Sequence, residues 1–287
     1  VQDMIQTYKE RLSGNDWLSQ ATKDKAVVKL NKMVLKMGYP DHPKKVYDRF
    51  HVDPDKSLFD NIIALGKAGQ AYNAEQLTQP VDRTEWNMPG HLVNASYDPS
   101  RNDITFPAAI LQAPFYSLDQ TRSENLGGIG AVIAHEISHG FDNNGAKFDE
   151  FGNMKDWWTD ADFTEFKKRT QGMIDEFDGL KVAGGTVNGK QIVSENIADD
   201  GGLAAALATA KKDADVDLKA FFLNWGRIWR EKARPEYAKF ILAIDVHAPN
   251  KLRANIQVQN QDDWYTTFDV KPGDGLYKKP EDRVKIW

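Results

Sequence analysis

The chain of 287 residues contains no cysteine. Disulfide bonds therefore cannot stabilise the fold, and any bound metal must be held by His, Asp or Glu. Lys and Arg form no continuous block and the formal net charge is −5, which argues against a nucleic-acid partner. No apolar run approaches the ~18 residues of a membrane span, and no signal-peptide pattern is present. The chain opens VQDMIQTYKE, without an initiator Met, so we expect a portion of a longer protein.

Apolar residues at helical spacing dominate the pattern, which predicts an α+β fold that is predominantly α-helical. Residues 1–36 predict two helices meeting near Gly14, with Val34 and Met37 counted among the apolar positions of the second. Further helices are predicted from Ser57 to Leu77, over 131–140, from Thr159 to Phe177, from Ser194 onward, and from Val216 to about Ala233, with loops from there to the C-terminus.

Two regions predict short strands. Residues 91–106, HLVNASYDPSRNDITF, read as two strands around a turn at 98–100. The glycines at 184–185 and the Asn188-Gly189 pair indicate a hairpin before the helix near Ser194.

The stretch AVIAHEISHG, residues 131–140, carries the clearest chemical pattern. Residues four apart share one face of a helix, so His135 and His139 can bind the same ion. Glu136 lies about a quarter-turn away, near enough to touch a metal-bound water but too close in sequence to be a third ligand. By chance alone this pattern arises in roughly one chain of this length in a hundred, so a metal site needs a further ligand.

Catalytic zinc uses three protein ligands and one open position. A third His at position 145 or a Glu at position 158 would complete two known arrangements, but the residues there are Gly145 and Trp158. The remaining arrangement is a Glu with an Asp four residues later, and among the glutamates only Glu195, followed by Asp199, satisfies it. Glu195 would bind the ion while Asp199 orients a ligand imidazole. The alternative is a solvated helix start capped by Ser194.

Several stretches, in this order, resemble the neprilysin-type zinc endopeptidases, which include bacterial PepO-like oligopeptidases. They span about two-thirds of the chain and are VNASYDPSRNDITFPAAILQAPFY (93–116), GGIGAVIAHEISHGFDNNGAKFDEFGN (127–153), DWW (156–158), SENIADDGGL (194–203), RPEY (234–237), DVHAPNKLR (245–253) and the terminal Trp287. The resemblance implies a thermolysin-like zinc peptidase core with a small antiparallel sheet over residues 56–287. It also implies that residues 1–55 are the end of a helical lobe that caps the active site and whose remainder is absent from this chain.

The resemblance also assigns catalytic roles. The implied ligands of one zinc ion per chain are His135, His139 and Glu195. Glu136 matches the general base, and His247 matches the residue that steadies the oxyanion. Asp199 and Asp142 match carboxylates that support the ligand histidines. The implied reaction is hydrolysis of small peptides by Glu136-assisted attack of a zinc-bound water.

Substrate-binding roles follow from the same resemblance. Arg253 matches the residue that binds the substrate carbonyl on the C-terminal side of the cleaved bond. Asn94 and Ala95 match the edge-strand pair that hydrogen-bonds the backbone of the peptide substrate. The implied pocket for a large hydrophobic residue on the C-terminal side of the cleaved bond consists of Ile110, Phe115, Val132, Ile228 and Trp229. Because the cysteines of the animal members are missing, we expect a bacterial protein of the cytoplasm, with a secreted or cell-surface location as the alternative.

Two other functions fit parts of the sequence. A non-catalytic binding module could keep the shape of a peptidase, although the presence of Glu136, His247 and Arg253 argues against it. A structural zinc site usually has four ligands that include Cys, which this chain lacks. Taken alone, His247 would read as a loop histidine and Arg253 as a surface charge.

Overall fold

The computed structural model describes residues 1–287 and confirms a predominantly helical α+β fold with a small sheet. The helices are α1 (Gln2–Gly14), α2 (Gln20–Lys32), α3 (Leu58–Gln76), α4 (Arg122–Asn125), α5 (Ala131–Ser138), α6 (Asp160–Phe177), α7 (Val193–Ala210), α8 (Leu218–Ile228), α9 (Pro235–Ile244), α10 (Asn250–Ile256) and α11 (Asp262–Phe268). The strands are β1 (Val34–Gly38), β2 (Ser96–Asp98), β3 (Asp103–Pro107), β4 (Lys181–Val182) and β5 (Gly185–Thr186). No helix is both long enough and apolar enough to cross a membrane.

The main sheet has three strands in the order β1-β3-β2 and is mixed rather than antiparallel. The hairpin of β2 and β3 is antiparallel, as predicted, but β1 joins β3 in parallel, with Val34 opposite Asp103. The helical prediction for residues 34–36 is wrong because α2 ends at Lys32 and the next residues extend along the sheet. A short apolar run cannot distinguish strand from helix by periodicity alone.

The C-terminal third is more helical than the sequence suggested. The predicted helix ends at Ile228 instead of Ala233, and α9, α10 and α11 occupy part of the region predicted as loops. Pro235 takes the first position of α9, where its missing N–H has no helical partner to lose and its fixed φ favours the helix.

Helices α5 and α7 lie against each other at the centre of the molecule. Gly202 of α7 allows this close approach, because a Cβ there would lie 2.6 Å from the backbone nitrogen of His135. Tyr8 and Leu12 of α1 and Leu30 of α2 are buried in the same hydrophobic core as the α5 and α7 side chains. The N-terminal helices therefore support the pair that carries the metal-site motif, while the domain boundary at residue 55 stays a prediction.

Candidate metal centre and substrate cleft

All three predicted ligand side chains converge between α5 and α7. The Nε2 atoms of His135 and His139 lie 3.3 and 3.4 Å from Oε2 of Glu195 and 3.0 Å from each other. Four ligands at ~2.0–2.1 Å from a tetrahedral zinc ion would be about 3.3 Å apart. The spacing of these three atoms therefore fits one zinc ion.

Hydrogen bonds fix which histidine nitrogens face the centre. Nδ1 of His135 lies 2.8 Å from Oδ1 of Asp199, and Nδ1 of His139 lies 2.7 Å from Oδ2 of Asp142. A carboxylate can only accept, so each Nδ1 donates, and in the neutral rings both Nε2 lone pairs point toward Glu195. Oε2 of Glu195 is buried without a hydrogen-bond partner. A cation shared by the facing lone pairs and the buried carboxylate oxygen would satisfy all three groups, so the donor set fits zinc.

The two glutamates of the centre have different protonation chemistry. Burial opposes ionisation of Glu195, but positive charge on the facing rings of His135, His139 and His247 outweighs it and lowers its pKa. Glu195 is therefore a carboxylate, as a metal ligand must be. Burial raises the pKa of Glu136, which brings this side chain closer to the neutral range in which a general base exchanges protons efficiently.

Asp199 connects the metal centre to Arg253. Nε and Nη2 of Arg253 donate to the two oxygens of Asp199, each at 2.7 Å, and the guanidinium stacks 3.7 Å from the ring centroid of Trp229. Burial disfavours the charge on Asp199, but Arg253 and His135 outweigh it and lower the pKa to about 2. Arg253 is only 7% exposed, so its interpretation as a surface charge is wrong. Nothing in the sequence indicates this pairing, since the partners are 54 residues apart.

Asp142 and Ser194 form a second supporting contact. Oδ1 of Asp142 accepts the backbone N–H groups of Asn144 and Gly145, and Oδ2 accepts the Ser194 hydroxyl at 2.5 Å. Helix α7 has no side-chain cap, so Ser194 does not cap it, and the side chain of Glu195 is only 13% exposed. The alternative of a solvated helix start is therefore wrong.

His247 approaches the centre from the loop after α9. Its Nε2 lies 3.2 Å from Oε2 of Glu195, and its Nδ1 lies 2.8 Å from Oδ1 of Asp245. Burial lowers the pKa of His247, but Glu195 outweighs this and raises it to about 9. Asp245 was missed by the sequence reasoning, although its position two residues before His247 was a usable signal.

A cleft of about 490 Å³ opens beside these residues, and we call it the metal cleft. Its lining includes Asn94, Ala95, Ile110, Phe115, Val132, Glu136, Trp225, Trp229, His247 and Arg253. Asn94 and Ala95 directly precede β2, an edge strand of the sheet. Ile228 does not line the cleft, because Trp225 and Trp229 are one helical turn apart on the face that does.

Comparison with known proteins identifies the family. Residues 94–284 match the model of peptidase family M13, and residues 1–40 match a second model of the same family. The chain belongs to peptidase family M13, which confirms the resemblance drawn from its motifs.

Three similar proteins illustrate the match. The neutral endopeptidase of Lactobacillus helveticus is 55% identical over 287 residues, which are all of this chain and 44% of the relative. The crystal structure of PEPO from Lactobacillus rhamnosis HN001 matches with a TM-score of 0.96 and 53% identity, over the whole chain and 46% of that protein. The zinc metalloprotease ZMP1 of Mycobacterium tuberculosis, solved with an inhibitor, gives a TM-score of 0.93 at 38% identity, again over the whole chain and 46% of that protein. The chain thus spans less than half the length of these proteins.

Proposed function

We propose that this chain is the catalytic part of a zinc-dependent endopeptidase that hydrolyses small peptides. The observation that carries the proposal is the convergence of His135, His139 and Glu195 at zinc-like spacing, with Glu136 in the same cleft. The family and the named relatives support the same activity, and we propose it for the whole, longer protein.

Zinc held by these ligands would act as a Lewis acid that polarises the scissile carbonyl and acidifies water. Glu136 accepts the proton of the attacking water and passes it to the leaving amine. His247, whose Nδ1 is held by Asp245, donates from Nε2 to the developing oxyanion, a contribution that is typically ~3–4 kcal/mol per donor. Asp199 and Asp142 hold the rings of His135 and His139 in the orientation that directs each Nε2 at the metal position.

Arg253 has a free donor for substrate. Its Nε and Nη2 bind Asp199, whereas Nη1 makes no hydrogen bond within the chain and the residue lines the metal cleft. We assign Nη1 to the substrate carbonyl beyond the cut, with Asp199 and Trp229 holding the guanidinium in place. An extended peptide would add alongside Asn94 and Ala95 through main-chain hydrogen bonds, which read little sequence.

The apolar part of the metal cleft supports a preference for a large hydrophobic residue after the cleaved bond. Ile110, Phe115 and Val132 line it together with Trp225 and Trp229. Such a pocket distinguishes substrates by only ~1–3 kcal/mol per methylene-sized difference, so we expect broad specificity.

The partners of this part of the protein are peptide substrates and the absent portion of the same protein. The relatives are about twice as long, and residues 1–40 match the second family model, which supports a further lobe that precedes this chain and caps the cleft. We propose the bacterial cytoplasm as the location, on the lack of cysteine and the bacterial relatives, with secretion or the cell surface as the alternative.

The test uses the full-length protein and an internally quenched peptide. We expect cleavage that a chelator abolishes and added zinc restores, with mass spectrometry locating cuts before large hydrophobic residues. Glu136→Gln should keep stoichiometric zinc and lose nearly all turnover. Chelator-resistant cleavage would reject the metal mechanism, and an active Glu136→Gln variant would reject the assigned base. Peptide binding without cleavage by the zinc-loaded protein would favour a binding module.

A further inference from the structure

Lys29 of α2 is a buried cation directed at the loop that follows the metal-site helix. Its Nζ donates to the backbone carbonyls of Gly140, Gly145 and Phe148, at 2.7, 2.8 and 2.7 Å. An ammonium group has three N–H donors, so this geometry uses all of them. Lys29 is 1% exposed, and water therefore cannot replace any of these bonds.

The ammonium group of Lys29 lies in an aromatic environment close to acidic side chains. The rings of Tyr97, Phe141 and Trp157 surround Nζ at 5.6 to 5.9 Å from their centroids. Burial lowers the pKa of Lys29 to about 7, opposed by the charges of Asp142 and other nearby acids. Burial alone would favour the neutral amine, so the three loop carbonyls, together with these acids, hold Lys29 in its charged form, and Lys29 in turn satisfies those carbonyls.

A continuous set of contacts leads from Lys29 to a metal ligand. Gly145 binds Nζ of Lys29 through its carbonyl and donates its N–H to Oδ1 of Asp142 at 2.6 Å. Asp142 in turn accepts Nδ1–H of His139. The backbone of the loop packs closely against helix α5 at this point, and only glycine fits, since a Cβ at position 145 would lie 1.8 Å from the carbonyl oxygen of His139.

We propose that Lys29 is a positioning residue for the metal centre. It fixes residues 140–148 so that Asp142 holds the ring of His139 in its ligating orientation. Helix α2 lies in the segment matched by the second family model, so that segment supplies a working part of the metal site. The inference rests on the proposed zinc site, but it does not require peptide hydrolysis.

The experiment compares Lys29→Met with Lys32→Met in the full-length protein. Methionine fills similar space without charge or donors, and Lys32 is an exposed residue at the end of the same helix. We expect Lys29→Met to weaken zinc binding, measured by competition with a chelating dye, by about 10-fold, the lower end of the range for losing a group bonded directly to a ligand, because Lys29 acts through Gly145 and Asp142. Amides of residues 140–148 should exchange hydrogen faster. Lys32→Met should match the unaltered protein in both measurements.

A double-variant cycle separates positioning from general destabilisation. If Lys29 acts through Asp142, Lys29→Met added to Asp142→Asn should lower zinc affinity little further. Full additivity, or unchanged zinc affinity in Lys29→Met, overturns the proposal. If Lys29→Met does not fold, Lys29→Gln carries the same expectations. If the unaltered protein itself fails to bind zinc, the proposed function fails, which is a distinguishable result.

Discussion

Gly202 of α7 lies directly against the backbone of His135 in α5. A Cβ at position 202 would be 2.6 Å from the His135 nitrogen, 2.7 Å from its Cα and 3.0 Å from the carbonyl oxygen of Ala131. All three atoms are backbone, so only a shift of a whole helix could relieve the clash. The distance between His135 and Glu195 therefore depends on the absence of a side chain at this position.

Gly202→Ala is expected to push α5 and α7 apart and to weaken both the fold and the metal site. Overpacking of this kind costs ~1–3 kcal/mol, and zinc content after dialysis should fall. Gly226→Ala is the control, because a Cβ there meets nothing within 4 Å and alanine should stabilise α8 by ~0.4–1 kcal/mol. Denaturant unfolding and metal analysis measure both effects. Normal zinc retention by Gly202→Ala would show that the helix spacing is not critical.

Asp199→Asn is expected to lower zinc affinity by 10- to 100-fold. The amide nitrogen would face the donors of Arg253 or the Nδ1–H of His135, and Arg253 would lose its counter-charge. Asp245→Asn is the matched variant, since Asp245 orients His247, which is not a predicted ligand. It should retain zinc and lower kcat/KM. Equal zinc affinities for both variants would contradict the distinction between the two carboxylates.

The pair of Lys36 and Asp103 joins β1 to β3, with Nζ and Oδ2 2.6 Å apart and both side chains 3% exposed. Lys36→Met leaves a buried carboxylate unpaired and should cost ~3–5 kcal/mol of unfolding free energy. Adding Asp103→Leu should recover much of this loss. Glu75→Gln is the control, because its pair with Arg49 has the same 2.6 Å distance but is solvent-exposed, and we expect a much smaller effect. Equal losses in urea titrations would refute this account.

Asp200 predicts a pH dependence of stability that is separate from the metal chemistry. Burial, with the charge of Glu176, raises its pKa from 3.8 to about 7, against the opposing charges of Arg11 and Lys278. Between these pH values the folded protein binds more protons at this site than the unfolded chain, so the contribution of Asp200 to stability falls as pH rises and is constant above about pH 7. The slope for one proton is at most about 1.4 kcal/mol per pH unit.

Asp200→Asn should remove this slope because an amide does not titrate, and the amide oxygen can still accept from Gln261. The unfolding free energy of the variant minus that of the unaltered protein should therefore increase from pH 4.5 to 7.5. A difference that does not vary with pH would show that Asp200 does not titrate in this window. Taking the difference cancels the titration of the histidines, which are common to both proteins.

The sequence alone determined the parts of this protein that depend on local geometry. His135 and His139 face one direction because residues four apart share a helix face, and Glu195 with Asp199 obeys the same spacing. The hairpin at 96–107 likewise follows from a short turn between two strands.

Only the tertiary structure decided the contacts between distant segments. Three such contacts leave no periodic pattern in the sequence. They are the parallel pairing of residues 34–38 with β3, the ion pair of Arg253 with Asp199, and the hydrogen bonds from Lys29 to the loop after His139. Each contact forms because a buried polar group needs a hydrogen-bond partner. The position of that partner depends on how the whole chain packs, which the local sequence does not determine.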